Sequence, residues 1–161
     1  MALQDISFDE VDSVKRVYVV YRVRSDTLVP ETVTHDFGIK PTRVFQKGDK
    51  FTGKSYDPVT KKSFEEIRER RFSIWDVDTQ SLQEKRRVRD HIEYILNILE
   101  PQSEKITQYL IQSEKYVISF YIRWEPFGEH GSYQVPGDLL IRMGKLCHFV
   151  ELSFIATIET E

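Results

Sequence analysis

Two segments of this sequence, residues 17–24 and 116–124, place an apolar side chain at every second position. Because the side chains of a β-strand point alternately to its two faces, this period predicts a strand with one buried face in each segment. Arg22 and Arg24 make the other face of the first strand polar at its end. Half-buried strands are typical of antiparallel or mixed sheets, since the strands of parallel sheets are apolar on both faces.

A short helix is predicted directly after the first strand. Val29, Val33 and Phe37 recur every four residues, which is the spacing of one helix face. Pro30 suits the first turn of a helix, and Gly38 suits the left-handed position that follows the last turn. These signals predict about two helical turns.

The longest helix is predicted to begin after Ser81. Ser81 and Glu84 have the spacing of a capping box, and apolar residues then recur at helical spacing as far as Leu99. Glu100 and Pro101 predict a break, after which a second helical segment runs to about residue 112.

Three further strands, one further helix and one long loop are predicted. The strands are residues 42–46, 71–77 and 149–158, and the helix is 136–145. For the last strand we expect a core face formed by Val150, Leu152, Phe154, Ala156 and Ile158. Residues 48–71, rich in Gly, Lys, Glu and Arg, are predicted to be a long mobile loop with one helical turn near residues 64–68.

The order of these segments predicts an α+β fold. It would be an antiparallel or mixed β-sheet with helices packed mainly on one face, of ferredoxin-like character, with a pseudo-repeated strand-helix-strand arrangement. At 161 residues and 19.1 kDa the chain fits one such domain. We expect an acidic N-terminal extension at residues 1–14 and a single α+β domain at 15–161.

Charge is unevenly distributed along the chain. Residues 40–89 contain 14 Lys and Arg against 8 Asp and Glu, which gives this segment a charge of +6. The net charge of the whole chain is −3, so the remaining residues together carry −9. A basic middle segment attracts acidic partners. The single cysteine, Cys147, cannot form an internal disulfide, and we expect a cytoplasmic protein with neither a signal peptide nor a membrane span.

Residues 48–55 match the P-loop pattern G-x-x-x-x-G-K-[ST] letter for letter. A working P-loop needs a helix that begins at its Lys-Ser pair, because the helix N-terminus and the loop amides hold the phosphates. Pro58 follows Ser55 by three residues, and no apolar periodicity appears before Phe64. We therefore predict a basic turn here, and a P-loop enzyme is kept as an alternative.

Other catalytic or metal-binding patterns are not evident. The four histidines are scattered without metal-ligand spacing. Cys147 and His148 are a nucleophile beside a base, but adjacent side chains at the start of a strand point to opposite faces. We predict no catalytic residue, no metal and no cofactor.

Several motifs recur in an order that is similar to a known family. They are Gly38-Ile39-Lys40-Pro41-Thr42, Lys47-Gly48-Asp49, Phe72-Ser73-Ile74-Trp75, the long helix ending near Leu99-Glu100-Pro101, and the last helix with Leu139-Leu140. Over about residues 17–158 the sequence resembles the bacterial domain-of-unknown-function 4279 family, although its connection between residues 53 and 71 is longer. The resemblance implies a small cytoplasmic protein with no assigned activity, cofactor or catalytic residue. Trp75 is then expected to be a buried anchor.

These observations predict a non-catalytic binding or interaction module, of which an immunity-type protein is one form, with an acidic protein as its partner. The alternatives are binding of nucleic acid or of a phosphorylated ligand through the basic middle segment, and an enzyme with an unrecognised site. The candidate ligand-binding residues are Thr42, Lys47, Lys50, Lys54, Trp75, Arg86 and Arg87.

Overall fold

The structure, a computed structural model, describes residues 14–127 and 133–154. Within these residues the strands are β1 (Val14–Ser25), β2 (Arg43–Phe45), β3 (Lys50–Asp57), β4 (Lys62–Glu69), β5 (Ser73–Asp78), β6 (Val117–Pro126) and β7 (Phe149–Phe154). The α-helices there are α1 (Pro30–Phe37), α2 (Val88–Leu99), α3 (Ser103–Leu110) and α4 (Gly137–Gly144), and two 3-10 turns are Gln80–Leu82 and Glu100–Gln102.

Five strands form one mixed sheet in the order β2-β5-β1-β6-β7, and β3 pairs with β4 as a separate hairpin. All neighbours in the large sheet are antiparallel except β6 and β7, which are parallel. The α+β class with a mixed sheet is therefore confirmed. Both predicted strand-helix-strand units are present, as β1-α1-β2 and β6-α4-β7.

One face of the sheet packs against all four helices. The alternating residues of β1 and β6 point to this face, as the sequence predicts, and Trp75 and Val77 of β5 join them. The fully buried strand residues of this core include Val19, Tyr21, Val23, Trp75, Ile118, Phe120, Ile122 and Trp124. The opposite face of the sheet carries charged residues, among them Arg22, Arg24 and Asp76.

Helix α1 begins and ends as predicted. Pro30 is its first residue, and Gly38 follows it with φ 63°, in the left-handed region, where its N–H donates to the Thr34 carbonyl at 2.9 Å. The indole Nε1 of Trp75 donates to Thr34 Oγ1 at 3.0 Å, and the ring of Phe37 lies edge-on to it at 5.5 Å. Trp75 is thus the buried anchor that the resemblance implies.

The predicted start of the longest helix is wrong. Helix α2 begins at Val88, and the expected cap residue Ser81 lies in the 3-10 turn instead. Residues 83–87 are all polar, so a helix over them would bury no side chain. The predicted break after Leu99 is confirmed, since the 3-10 turn Glu100–Gln102 separates α2 from α3.

The predicted loop at residues 48–71, with its helical turn, is also wrong as secondary structure. Strands β3 and β4 occupy most of it and pair along their whole length. Asp57 closes the turn between them by accepting hydrogen bonds from the Val59 N–H at 2.9 Å and from Thr60 Oγ1 at 2.6 Å. Glu65 and Glu69 of β4 lie opposite Lys54 and Lys50 of β3, which adds pairs of opposite charge across the hairpin.

The expected core face of the last strand is only partly formed. Val150 is half-buried, but Leu152 is 62% exposed and Phe154 is 50% exposed. Strand β7 is an edge strand, and the side chains between it and α4 leave an apolar groove of about 570 Å³. The predicted residues Ala156 and Ile158 lie outside the described part of the chain.

Candidate anion-binding cleft

The polar face of the sheet carries a row of charged residues across three strands. Arg22 of β1 lies directly opposite Asp76 of β5, and Asp76 lies opposite Arg43 of β2. The next row towards the end of β1 contains Phe45, Ile74 and Arg24. All these side chains share one face because strand registers fix side-chain direction.

Asp76 binds both neighbouring arginines. Its side chain is fully buried, and it accepts from Arg22 Nε and Nη2 at 2.8 Å each and from Arg43 Nη2 at 2.7 Å. These hydrogen bonds raise the pKa of Arg22. The backbone carbonyl of Asp76 accepts from the Thr42 N–H at 2.8 Å, which ties the start of β2 to β5. The triad therefore holds two guanidinium groups in fixed positions on this face.

The hairpin β3–β4 stands over one end of the same face and completes a cleft of about 900 Å³. The cleft lies between the hairpin and strands β1, β2 and β5. Its lining residues are Arg22, Arg24, Arg43, Phe45, Phe51, Glu66, Ile67, Arg68, Glu69, Arg70, Arg71, Phe72 and Ile74. A concave site with this many guanidinium groups is suited to anions.

Arg70 is clamped between two aromatic rings. Its guanidinium carbon lies 3.8 Å from the ring centroid of Phe45 and 3.8 Å from that of Phe51, so both of its faces make cation–π contacts. Its backbone is fixed as well, because its N–H donates to the Asp49 carbonyl and its carbonyl accepts from the Gly48 N–H, each at 2.9 Å. Its buried Nε has no hydrogen-bond partner among the described residues. Arg70 is therefore held in place without a counter-charge.

The cleft is positively charged overall. Its six arginines face Glu66, Glu69 and the buried Asp76, which leaves a formal charge of +3. Arg68 is neutralised by Glu66, to which its Nε donates at 2.6 Å, and hydrogen bonds from Ser55 and then Arg68 lower the pKa of Glu66. Arg24, Arg70 and Arg71 have no carboxylate partner within ion-pair distance in the part of the chain that the structure describes.

The aromatic rings of the cleft make cation–π contacts with its arginines. Arg24 lies 4.8 Å from the ring centroid of Phe72, and Arg70 covers one face each of Phe45 and Phe51. A stacked guanidinium still presents its N–H edges to a ligand. The arrangement can therefore bind oxygen anions, such as carboxylates or phosphates, at the guanidinium edges.

The candidate lysines of the sequence prediction lie outside this lining. Lys47 Nζ lies 3.1 Å from Asp26 Oδ2 at the surface. Lys50 and Lys54 are exposed on the face of β3 opposite Phe51, and neither is among the lining residues of the cleft. Thr42 is exposed beside the Asp76 triad, where its Oγ1 donates to the Asp76 carbonyl at 3.2 Å.

The other three candidate residues are also apart from the cleft. Trp75 is fully buried on the helix side of the sheet. Arg86 lies 5.3 Å from the ring of Phe127, beyond the end of β6 that pairs with the start of β1, whereas the cleft lies at the other end of β1. Arg87 directly precedes α2. The structure therefore does not assemble the predicted residues into one site.

The P-loop match has the wrong local structure for a phosphate cradle. Gly48 lies in a turn with φ 90°, but Lys54 and Ser55 are inside strand β3. Ser55 Oγ donates to Glu66 Oε1 at 2.7 Å across the hairpin. No helix N-terminus is available at the Lys-Ser pair, so the amides and dipole that a P-loop supplies are missing.

Cys147 and His148 do not form a catalytic pair. Burial raises the pKa of the Cys147 thiol, which lowers its reactivity. His148 Nδ1 accepts from the Ile118 N–H at 3.0 Å, and Nε2 donates to the Leu110 carbonyl at 3.0 Å, so both nitrogens are occupied. Among residues 14–127 and 133–154, His, Cys, Asp and Glu side chains form no group of three or more that could hold a metal ion.

Sequence reasoning missed the cleft arginines although part of their signal was present. Arg22 and Arg24 alternate with apolar residues in β1, which places them together on the polar face. Arg68 and Arg70 are likewise two positions apart, at the end of β4 and directly after it, but the sequence predicts a loop there. Only the placement of the hairpin over the large sheet brings the two groups together.

The protein is therefore a small α+β protein with an arginine-lined cleft on the sheet face that the helices do not cover. The family model of a domain of unknown function (DUF4279) matches residues 15–152, and the chain belongs to this family. Neither the curated proteins nor the solved structures contain a match to this chain. In the described residues, each helix is too short or too polar to cross a bilayer.

Proposed function

We propose that this chain is a non-catalytic binding module that holds an acidic protein partner in its arginine cleft. The observation that carries this proposal is a concave site of formal charge +3 in which Arg24, Arg70 and Arg71 have no ion-pair partner among residues 14–127 and 133–154. Opposite charges across an interface speed encounter and select partners. An immunity-type protein, which neutralises its partner in a bacterial cytoplasm, is one form of such a module.

A protein partner is favoured over single-stranded nucleic acid because arginine side chains already cover the aromatic rings of the cleft. Single-strand binders stack bases on aromatic faces. Here Arg70 occupies one face of Phe45 and one of Phe51, and Arg24 lies over Phe72. The remaining recognition groups are guanidinium edges, which suit carboxylates.

A phosphorylated ligand or nucleic acid is the second candidate. Arginine edges bind phosphate oxygens in the same bidentate manner as carboxylates, so the free edges of Arg24 and Arg71 support this candidate too. Its binding would be electrostatic and would weaken steeply with salt.

Affinity capture from a bacterial lysate tests the proposed function. The bait is the full chain, beside Arg70→Ala and the charge-matched control Arg86→Ala, which lies at the other end of the sheet. We expect the wild type and the control to retain an acidic protein that salt elutes, and Arg70→Ala to lose it.

Two outcomes would contradict the proposal. One is recovery of no protein that depends on Arg70. The other is a captured fraction that nuclease treatment removes, which would favour the nucleic-acid candidate.

A further inference from the structure

The cleft arginines that have no ion-pair partner in the described part of the chain are spread across the sheet, and their positions limit the shape of the ligand. Phe45, Ile74 and Arg24 lie in one row on the neighbouring strands β2, β5 and β1. Neighbouring strands are about 4.8 Å apart, so the backbones at the two ends of this row are separated by about 10 Å. Arg70 stacks on Phe45 at one end, and Arg24 lies at the other.

Both arginines are fixed at these positions by aromatic contacts. Arg70 is clamped between Phe45 and Phe51, and Arg24 lies 4.8 Å from the ring centroid of Phe72. A single phosphate group is bound by donors within about 3 Å of its oxygens. Two guanidinium groups whose anchoring residues lie at opposite ends of this row are therefore better matched by two separate anions than by one.

An extended peptide offers anions at this spacing. In a polyproline II segment the side chains repeat their direction every three residues, and each residue advances about 3.1 Å. Acidic residues three positions apart then present two carboxylates on one side, about 9 Å from each other. This distance is close to the separation of the two ends of the row.

We propose that the cleft binds an extended acidic segment of a partner protein, with one carboxylate on Arg70 and a second, three residues away, on Arg24. This inference rests on the proposed function and adds the form of the partner segment to it. Arg71 supplies further positive charge at the same lining. Each arginine offers a carboxylate two parallel N–H donors, which gives the contact a defined direction.

Four synthetic ligands test this inference against the isotope-labelled full chain by NMR titration. Two are peptides of one composition with two Glu residues, placed either three positions apart or adjacent. The third is a peptide with a single phosphoserine, whose charge of about −1.5 to −2 matches the Glu pair. The fourth is a short oligothymidylate.

We expect the spaced peptide to bind about 10-fold more tightly than the adjacent one, with shifts at cleft residues. Arg70→Ala and Arg24→Ala should each weaken this binding by about 10-fold, as expected for loss of a charge-assisted contact, and Arg86→Ala should not. Arg70→Lys keeps the charge without the planar fork and should also weaken it. If Arg70→Ala does not fold, Arg24→Ala and Arg70→Lys decide the result.

The outcomes separate this inference from the proposed function. Equal affinity for the two Glu peptides, or tighter binding of the phosphopeptide, overturns the spacing inference and leaves a peptide-binding module. Binding of the oligothymidylate alone, or no cleft shift with any ligand, overturns both.

Discussion

The charge triad on the open face of the sheet gives a stability prediction that can be worked from its geometry. Asp76 is completely buried, whereas the side chains of Arg22 and Arg43 are 34% and 39% exposed. Replacing Asp76 by Asn keeps the shape of the side chain but removes its charge. The new amide N–H₂ would also face guanidinium donors, which cannot accept its hydrogens.

The expected loss follows from the contacts. Asp76 accepts four hydrogen bonds from the two arginines, at 2.7 to 3.1 Å. A hydrogen bond to a charged group contributes about 1.5–3 kcal/mol, but the partly exposed arginines regain water, so we discount this sum. We expect Asp76→Asn to lower the free energy of unfolding by about 2–4 kcal/mol. The melting temperature should fall by roughly 5–15 °C in a chain of this size.

Urea unfolding followed by circular dichroism measures this loss, with Asp26→Asn as the control. Asp26 forms an ion pair with Lys47 at 3.1 Å, but both side chains are more than half exposed. Such surface pairs contribute about 0–1 kcal/mol, so the control should remain close to the wild type. An Asp76→Asn loss below about 1 kcal/mol, or one equal to the control, would refute the reasoning that the buried carboxylate organises this face.

Three further predictions concern the core, a helix end and the P-loop match. Burial lowers the pKa of His91 below 6.5, so the unfolded chain binds a proton at His91 at a higher pH than the folded protein does. The free energy of unfolding, measured with urea, should therefore decrease from pH 7.5 to 5.5. The decrease should be smaller in His91→Asn. Gly38→Ala should cost about 1 kcal/mol in the same assay because φ is 63° there, whereas Gly144→Ala, with open space at its Cβ position, should not destabilise. Lys54 lies in a strand, so ATP with magnesium should leave the melting temperature of wild type and Lys54→Ala unchanged; a rise confined to the wild type would restore the P-loop reading.

The sequence predicted those elements whose period is local and whose caps are strong. Helix α1 was found because Pro30 and Gly38 mark its two ends. Strands β1 and β6 were found because one face of each is buried and the alternation is regular. The hairpin was missed because strand β4 consists largely of helix-favouring charged residues, all of them exposed, and only pairing with β3 makes it a strand.

The candidate site was predicted by charge along the chain, and this explains why its residues do not lie together in the cleft. Lys50 and Lys54 lie in the basic segment, but strand alternation places them on the face of β3 opposite Phe51, and they do not line the cleft. Arg22 lies outside that segment and reaches the cleft through its register with Asp76. Closeness in the sequence does not determine whether two charged side chains on different strands face the same cleft.

By itself, the sequence determined the α+β class, the family and the positive charge of the middle segment, because hydrophobic period, turn residues and net charge are local properties. Tertiary structure alone decided that Arg24 and Arg70 share one cleft. Strand order and hairpin placement bring together residues that are far apart in the chain. The physical reason is that a local pattern fixes the direction of each side chain within its own element, whereas packing between elements fixes which side chains meet.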